Sequence, residues 1–413
     1  MRLLHTADWH IGQLFYDQDR TEEHCAFMEW LLNTLEEEAI DALLISGDIF
    51  DVPSPSTSSV RMFYKFLSDA NKRLPSLQII ATAGNHDSAA RLETPRPLLE
   101  SSSIHLIGTI EKTSEGRVDY NKLIIPLYNH NGHLEAHCIA IPFLRMGDYP
   151  LIAEASQPYK AGVEAFYQEA ADFARECIEP GTGLIAMGHL HATSAELSGM
   201  DDSERSIMGG LESISAAAFD RIFTYVALGH IHKAQALDGK KHIRYSGSPL
   251  PMSFTERSYQ HQVVIIEIQG SEVINLYSKE VPVKIPLWRI PSHQPLPESE
   301  VMQALAELEQ SISTHPAPYL EVQVLTEGPE PGLIHRIQQA VKDKHVRLVK
   351  VSLTLKGREG YQDTSEVSPD LRVRPLNPED VLRSEWGSRF QSEIPADLIA
   401  CFREIQQELH HSE

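Results

Sequence analysis

Cysteine is scarce in this chain of 413 residues, which holds only 4 of them: Cys25, Cys138, Cys177 and Cys401. They are scattered, with no C-x-x-C pair, which argues against a zinc knuckle or a disulfide framework and suits a reducing cytosol. Long apolar runs are also missing; none approaches the roughly 20 residues of a membrane helix. No P-loop of the form G-x-x-x-x-G-K-[ST] occurs, so ATP chemistry would have to come from another chain. Positive charge is in deficit as well. The formal net charge of -22 argues against a chain-wide nucleic-acid surface, because phosphate backbones attract basic ones. The exception is the stretch Pro331 to Gly360, where Arg336, Lys342, Lys344, Arg347, Lys350, Lys356 and Arg358 face only Asp343 and Glu359. A solvated face and a phosphate-contact surface both fit such a cluster.

Metal-ligand side chains beside tight turns are what the chain does have. Five short motifs occur in order: Asp8-Trp9-His10, Gly47-Asp48, Gly84-Asn85-His86-Asp87, Gly188-His189 and Gly229-His230-Ile231-His232. Most follow an apolar run, as in Ala42 to Ser46 before Gly47 and Leu77 to Thr82 before Gly84. Among 20 histidines one such motif would mean little, but an ordered set of five at strand ends carries weight. The two-residue spacing of Asp8 and His10, and of His230 and His232, would put both side chains on one side of a strand. Asp, Asn and His in these numbers could hold two divalent cations. The oxygen and nitrogen donors, without thiolate, suit Mn²⁺, Mg²⁺ or Fe²⁺. Two adjacent cations promote hydrolysis of phosphate esters.

Strand, polar turn, helix recurs along the first part of the chain, the pattern of an α/β fold whose ligands collect beyond the carboxyl ends of strands. Glu22 to Glu38 has helical spacing, with Phe27, Leu31, Leu32 and Leu35 as its stripe. Leu123 to Leu127 and His137 to Phe143 read as a hairpin, with Asn131-Gly132 predicting a type I′ turn. Its histidines, His130, His133 and His137, lack a carboxylate pattern and read as surface residues. A mixed two-layer β-sandwich flanked by helices fits these signals. Prolines 282, 286, 291, 295 and 297 then mark a boundary. Beyond it a small α+β unit is expected, with helices at Glu298 to Ser313 and Gly332 to Lys342 and strands at Tyr319 to Leu325 and Arg347 to Leu355. The predicted domains are 1–280, 281–360, a polar linker 361–377, and helices within 378–413. In the last of these, Leu398, Phe402, Ile405 and Leu409 form one apolar stripe suited to a partner protein.

The motif order D-x-H, G-D, G-N-H-D/E, G-H, G-H-x-H resembles the calcineurin-like metallophosphoesterase superfamily. Further stretches narrow the likeness: His5-Thr6-Ala7-Asp8-Trp9-His10-Ile11-Gly12, Gly47-Asp48-Ile49-Phe50-Asp51, Ile141-Pro142-Phe143-Leu144-Arg145, and Gly247-Ser248-Pro249 with Ser253-Phe254. These are similar to the SbcD-type nuclease subunits of bacteria, counterparts of the double-strand-break repair nuclease of archaea and eukaryotes. The resemblance implies a four-layer metallophosphoesterase β-sandwich with a capping domain and C-terminal helices. It implies Asp8, His10, Asp48 and His232 on one metal, and Asp48, Asn85, His189 and His230 on a second, with Asp48 shared. His86 would contact the scissile phosphate and Asp87 would orient His86; His191 is left out. Arg145, Arg336, Lys342, Lys344, Arg347 and Lys350 are expected to contact DNA. The implied activity is Mn²⁺-dependent exonuclease and endonuclease cleavage of DNA in repair, recombination and replication. The implied setting is the cytoplasm, at the nucleoid, as a homodimer paired with an SbcC-like coiled-coil ATPase. The N-terminus, Arg2-Leu3-Leu4-His5-Thr6-Ala7-Asp8, leaves no room for a signal peptide without discarding a motif residue. A phosphatase or cyclic-nucleotide phosphodiesterase would use the same motifs, and a non-catalytic scaffold would have lost some of them.

Overall fold

Three apolar runs of the first half, ending at Thr6, Ser46 and Thr82, become adjacent strands buried on both faces, which is why they read as continuous rather than alternating. The computed structural model describes residues 1–99, 102–152, 155–179, 181–192, 214–219, 223–309, 316–328, 330–356 and 366–367. The chain begins with β1 (Arg2–Thr6), a small hairpin β2 (Leu14–Phe15) and β3 (Gln18–Asp19), α1 (Thr21–Glu37) and β4 (Ala42–Ser46). It continues through α2 (Thr57–Arg73), β5 (Gln78–Thr82), α3 (Ala89–Glu93), α4 (Arg96–Leu99) and β6 (Ile104–Ile107). Next come β7 (Ile124–Tyr128), β8 (Leu134–Ala140), α5 (Pro158–Cys177), β9 (Gly183–His189), β10 (Tyr225–Gly229), β11 (Gln235–Leu237) and β12 (Lys240–Tyr245). The hairpin β13 (Gln262–Gln269) and β14 (Glu272–Glu280) returns to the first strand.

These elements make two six-stranded mixed sheets, ordered β14-β13-β1-β4-β5-β6 and β11-β12-β10-β9-β8-β7. Leu3, Leu44 and Ile80 of the first sheet share a core with Ile139, Ile185 and Val226 of the second. Their neighbours Leu4, Leu43 and Ile79 turn the other way, onto Phe27, Leu31 and Leu35 of α1 and Phe63 and Phe66 of α2. Alternate residues of one strand therefore serve two cores, one between the sheets and one beneath the helices. Helix α5 adds Phe166, Tyr167, Ala170 and Ala174 to the core of the second sheet. The result is the expected four-layer sandwich. Its β1, β4, β5, β9 and β10 all end at one edge, where the motifs collect.

The turn between β7 and β8 differs from expectation. Gly132 alone is left-handed there, at φ 80°, and its N–H bonds to Asn129 O while Asn129 N bonds to His133 O. That is a three-residue loop with a glycine bulge rather than type I′, which would need Asn131 left-handed too. His130 Nδ1 lies 3.1 Å from the buried Asp41 carboxylate, a structural contact.

A third sheet forms from β15 (Leu287–Ile290), β16 (Leu296–Pro297), β17 (Tyr319–Thr326), β18 (Arg347–Leu355) and β19 (Glu366–Val367), with α6 (Glu298–Ala306) and α7 (Leu333–Val341) packed on it. Helix α6 is shorter than its periodicity suggested, because the Lys344 ammonium takes up the carbonyls of Ala306 and Leu308 and closes its end. Phe15, Phe254, Ile285, Tyr319 and Val349 join this unit to the sandwich, and Tyr319 Oη donates to buried Glu23 at 3.0 Å. The expected linker 361–377 and the helices within 378–413 lie outside the described residues, apart from β19. No described helix is long and apolar enough to cross a membrane.

Candidate metal centre

Strand β1 stops at Thr6, so alternation along a strand is not what aims Asp8 and His10. Both residues are left-handed, at φ 56° and 45°, and are pinned by backbone bonds from Asp8 N to Gly47 O and from His10 N to Asp48 O. Asp48 (φ 47°) and His230 (φ 101°) share the conformation. Non-glycine residues pay for it in steric energy, and such residues concentrate where surrounding structure over-determines them, commonly at functional sites. Between the two ligand candidates Trp9 points the opposite way, edge-on against Phe27, Phe63 and Phe66. Close approach explains Gly84: a Cβ there would lie 2.1 Å from Asp48 Oδ1.

Three groups of candidate donors result. The ligand atoms of Asp8, His10 and His232 lie within 4.8 Å of one another, as do those of Asp48, His189 and His230. Asp48 Oδ2 sits between these two groups, 3.7 Å from His10 Nε2 and 3.2 Å from His189 Nε2. Asn85 Oδ1 completes the second group, 2.9 Å from His189 Nε2 and 3.1 Å from His230 Nδ1. A third group, His10, Asp51 and His86, adjoins the first.

The donor chemistry suits hard or borderline divalent cations. Asp8 Oδ2 and His10 Nε2 are buried without a hydrogen-bond partner, a costly state that a cation would relieve. The electrostatics are those of crowded ligands. Burial raises the Asp8 carboxyl. Burial pushes Asp48 the same way but is outweighed by His189, His10 and His86, so its carboxyl falls well below the usual range. Burial opposes charge on His189, yet Asp48 and Asp8 lift that ring to about 9. Burial, then the neighbouring His189, lowers His230 to about 3.

The ring of His86 is half-buried beside that of His10, with centroids 4.9 Å apart. Its Nδ1 donates to the backbone carbonyl of Asp51 at 2.8 Å, which leaves Nε2 for the cleft. Asp87 is therefore not its orienter. The Asp87 carboxylate is buried and accepts from Gly84 N (2.8 Å), Phe50 N (2.9 Å) and Ile49 N (3.1 Å), tying two motif loops together. Burial, then the charge of Asp48, raises it to about 6. Two contributors were missed: the Asp51 carbonyl, and Glu256, which holds the ring of His232. Both lie within or beside stretches the sequence had singled out. His191 lies outside both donor groups, its ring 6.4 Å from that of His230.

The basic residues divide. Arg145 is exposed at the rim, its Nη2 donating to Asp87 O at 3.2 Å and its guanidinium over Phe143. Lys342 is exposed, and Arg347 lies over the ring of Tyr319. The other three have partners in the chain. Arg336 pairs with Glu298 and Glu330, Lys344 closes α6, and Lys350 is buried beside Glu321 and over Tyr16. Carbonyl and acidic groups of the protein hold Lys344 and Lys350, whereas Arg336 keeps an exposed surface pair.

Comparison with known proteins agrees with this arrangement. Residues 1–234 match the calcineurin-like phosphoesterase family, and residues 284–387 match the type 5 capsule protein repressor C-terminal domain. The D subunit of nuclease SbcCD from Rhodobacter capsulatus is 34% identical over 363 residues, 86% of this chain and 87% of that protein. The Escherichia coli protein of the same name is 31% identical over 370 residues, 87% and 86% of the two chains. That of Bacillus subtilis is 31% identical over 286 residues, 66% and 67%. A solved structure titled "GAP50 the anchor in the inner membrane complex of Plasmodium" covers 76% of this chain and 98% of its own at 11% identity. Its TM-score is 0.34, too low to bear on the assignment. By these similarities the chain belongs to the calcineurin-like phosphoesterase family, among its SbcD-type nuclease subunits.

Proposed function

We propose that this chain is a two-metal DNA nuclease subunit of an SbcCD-type complex. The observation that carries the reading is the place of Asp48 Oδ2 between two groups of donors, 3.7 Å from His10 Nε2 and 3.2 Å from His189 Nε2. In this reading Asp8, His10, Asp48 and His232 hold one divalent cation, and Asp48, Asn85, His189 and His230 hold the other. Mn²⁺ is the first choice, with Mg²⁺ or Fe²⁺ as alternatives. When bound, such a pair lowers the pKa of a water and neutralises phosphate oxygens. The protein's own contribution is geometric. Left-handed backbone fixes Asp8, His10, Asp48 and His230, Asp87 ties two motif loops together, and the Asp51 carbonyl turns His86 Nε2 toward the substrate. From there His86 contacts the scissile phosphate or protonates the leaving oxygen.

DNA is preferred over a small phosphate ester because the chain matches the nuclease subunits along most of its length. The reading includes cleavage at DNA ends and hairpins, as exonuclease and endonuclease, in repair, recombination and replication. Residues 281–360 would cap the site, with Arg145, Lys342 and Arg347 at phosphates. Residues 378–413 would bind an SbcC-like ATPase, which supplies the ATP chemistry and the DNA affinity that a chain of charge -22 lacks. The chain would work as a homodimer in the cytoplasm, at the nucleoid, with 56–68 and 90–101 as candidate dimer surfaces.

The test compares wild type with His86→Ser on linear duplex DNA, p-nitrophenyl phosphate and cyclic nucleotides, with Mn²⁺ and with and without the ATPase subunit. DNA cleavage should fall on the order of 10²–10⁴-fold in the variant with Mn²⁺ still bound. Undiminished cleavage would remove His86 from its role. Turnover of the small esters but not of DNA would make the protein a phosphatase or phosphodiesterase.

A further inference from the structure

The ring of His232 is held by a buried carboxylate that lies outside both donor groups. Glu256 is 2% exposed, and its Oε1 accepts from His232 Nδ1 at 2.9 Å. Its Oε2 accepts from the backbone N–H of Met252 at 2.8 Å. Both oxygens are thus committed, and the carboxylate has a single orientation.

The segment carrying Glu256 is itself clamped. Ser253 caps the short turn Phe254–Ser258 by accepting from Thr255 N at 3.2 Å. Phe254 is buried with Phe15, Tyr319 and Val349, where sandwich and small unit meet. From the small unit Arg289 donates to the carbonyl of Phe254 at 3.4 Å, and Arg257 of the segment donates to that of Ser292 at 3.0 Å. On the other side Ser248 N bonds to the carbonyl of His232 at 3.1 Å. The ring of His232 also meets that of His10 edge-on at 5.2 Å, so a rotation of His232 would disturb a second donor.

We propose that Glu256 is a positioning residue of the metal centre: by accepting from Nδ1 it fixes the tautomer and plane of His232, so that Nε2 is the nitrogen offered to the cation near Asp8 and His10. A carboxylate behind a ligating imidazole raises the basicity of the ligand, and its loss commonly weakens metal binding 10–100-fold. The proposal rests on the two-cation reading above and adds a residue that the reading does not require.

The test is a Mn²⁺ titration of the full-length chain, followed by calorimetry and by electron paramagnetic resonance, for wild type, Glu256→Ala and Glu256→Gln. Wild type should take up two ions and give the spectrum of a coupled pair. In Glu256→Ala one of the two binding steps should weaken about 10–100-fold. At Mn²⁺ that saturates wild type the signal should then be that of a single ion, and excess Mn²⁺ should restore both pair and turnover. Glu256→Gln keeps an acceptor for Nδ1 without the charge, so its step should weaken less; it also carries the test if the alanine variant fails to fold. Two unchanged binding steps and an unchanged coupled spectrum in Glu256→Gln and in a folded Glu256→Ala would overturn the proposal and leave the two-cation reading standing. A wild type that takes up no Mn²⁺ would instead overturn that reading, and the proposal with it.

Discussion

The metal centre and the basic stretch of the small unit are both sets of polar side chains, and they end differently. At the centre, residues as distant as Asp8 and His232 converge within 4.8 Å, and Asp8 Oδ2 and His10 Nε2 are buried without a hydrogen bond. In the basic stretch, Lys344 and Lys350 are near neighbours in sequence, yet the first is held by helix-end carbonyls and the second is buried beside Glu321, while Arg336 forms an exposed surface pair. Proximity in sequence therefore says little about availability. What separates the two regions is backbone constraint: Asp8, His10, Asp48 and His230 are held left-handed at strand ends, whereas the cations lie on or between a helix and a strand where a nearby carboxylate or carbonyl can claim them.

The largest expected effect falls on the shared donor. Asp48→Asn keeps an oxygen for His86 N, which now bonds to Oδ1 at 2.8 Å, but cannot bridge as a carboxylate. Mn²⁺-dependent cleavage should drop by about 10³-fold or more, equal to roughly 4 kcal/mol of barrier. Both Mn²⁺ binding steps should weaken, whereas His189→Ala should weaken mainly one. If Asp48→Asn weakened a single step, the two donor groups would be independent and the comparison would lose its sharper half.

Next in size is Asp87→Ala. It leaves the N–H groups of Gly84, Ile49 and Phe50 without their acceptor, and buried donors left unpaired cost about 1–3 kcal/mol each. Thermal unfolding should show a loss of at least about 3 kcal/mol. A drop in activity with unchanged stability would instead return Asp87 to the role of orienting His86.

How much of this was legible follows from the same constraint. The apolar runs predict the strands of the sandwich because a strand buried on both faces needs little besides apolar side chains. The seven candidate ligands and His86 stand out in the sequence because four of the five motifs set a donor beside a glycine. Asp51 and Glu256 were not, although both stand in or beside highlighted stretches, because one acts through its backbone carbonyl and the other through a fold-dependent contact with His232. Asp87 was placed in the right cluster with the wrong partner: being next to His86 in sequence does not make two side chains meet. The fates of Lys344 and Lys350 depend on Ala306 and on Glu321, which no charge pattern near residue 350 could indicate.

The two lysines of the small unit give the finest test of the comparison. Lys350 is 9% exposed, with its ammonium 3.8 Å from Glu321 and over the ring of Tyr16 at 5.3 Å. Lys350→Ala should lower stability by about 1–2 kcal/mol, and leave the salt dependence of DNA binding as in wild type. Exposed Lys342 should behave the opposite way. Lys342→Ala should not move the unfolding curve, but it should weaken binding evenly across sequences and reduce the slope of log affinity against log salt by about 1. The slope is the discriminating quantity, because it counts released counterions and ignores small changes in fold. An altered slope in Lys350→Ala with unchanged stability would mean that the buried lysine reaches DNA, and that the basic stretch, like the metal centre, keeps its charges for a ligand.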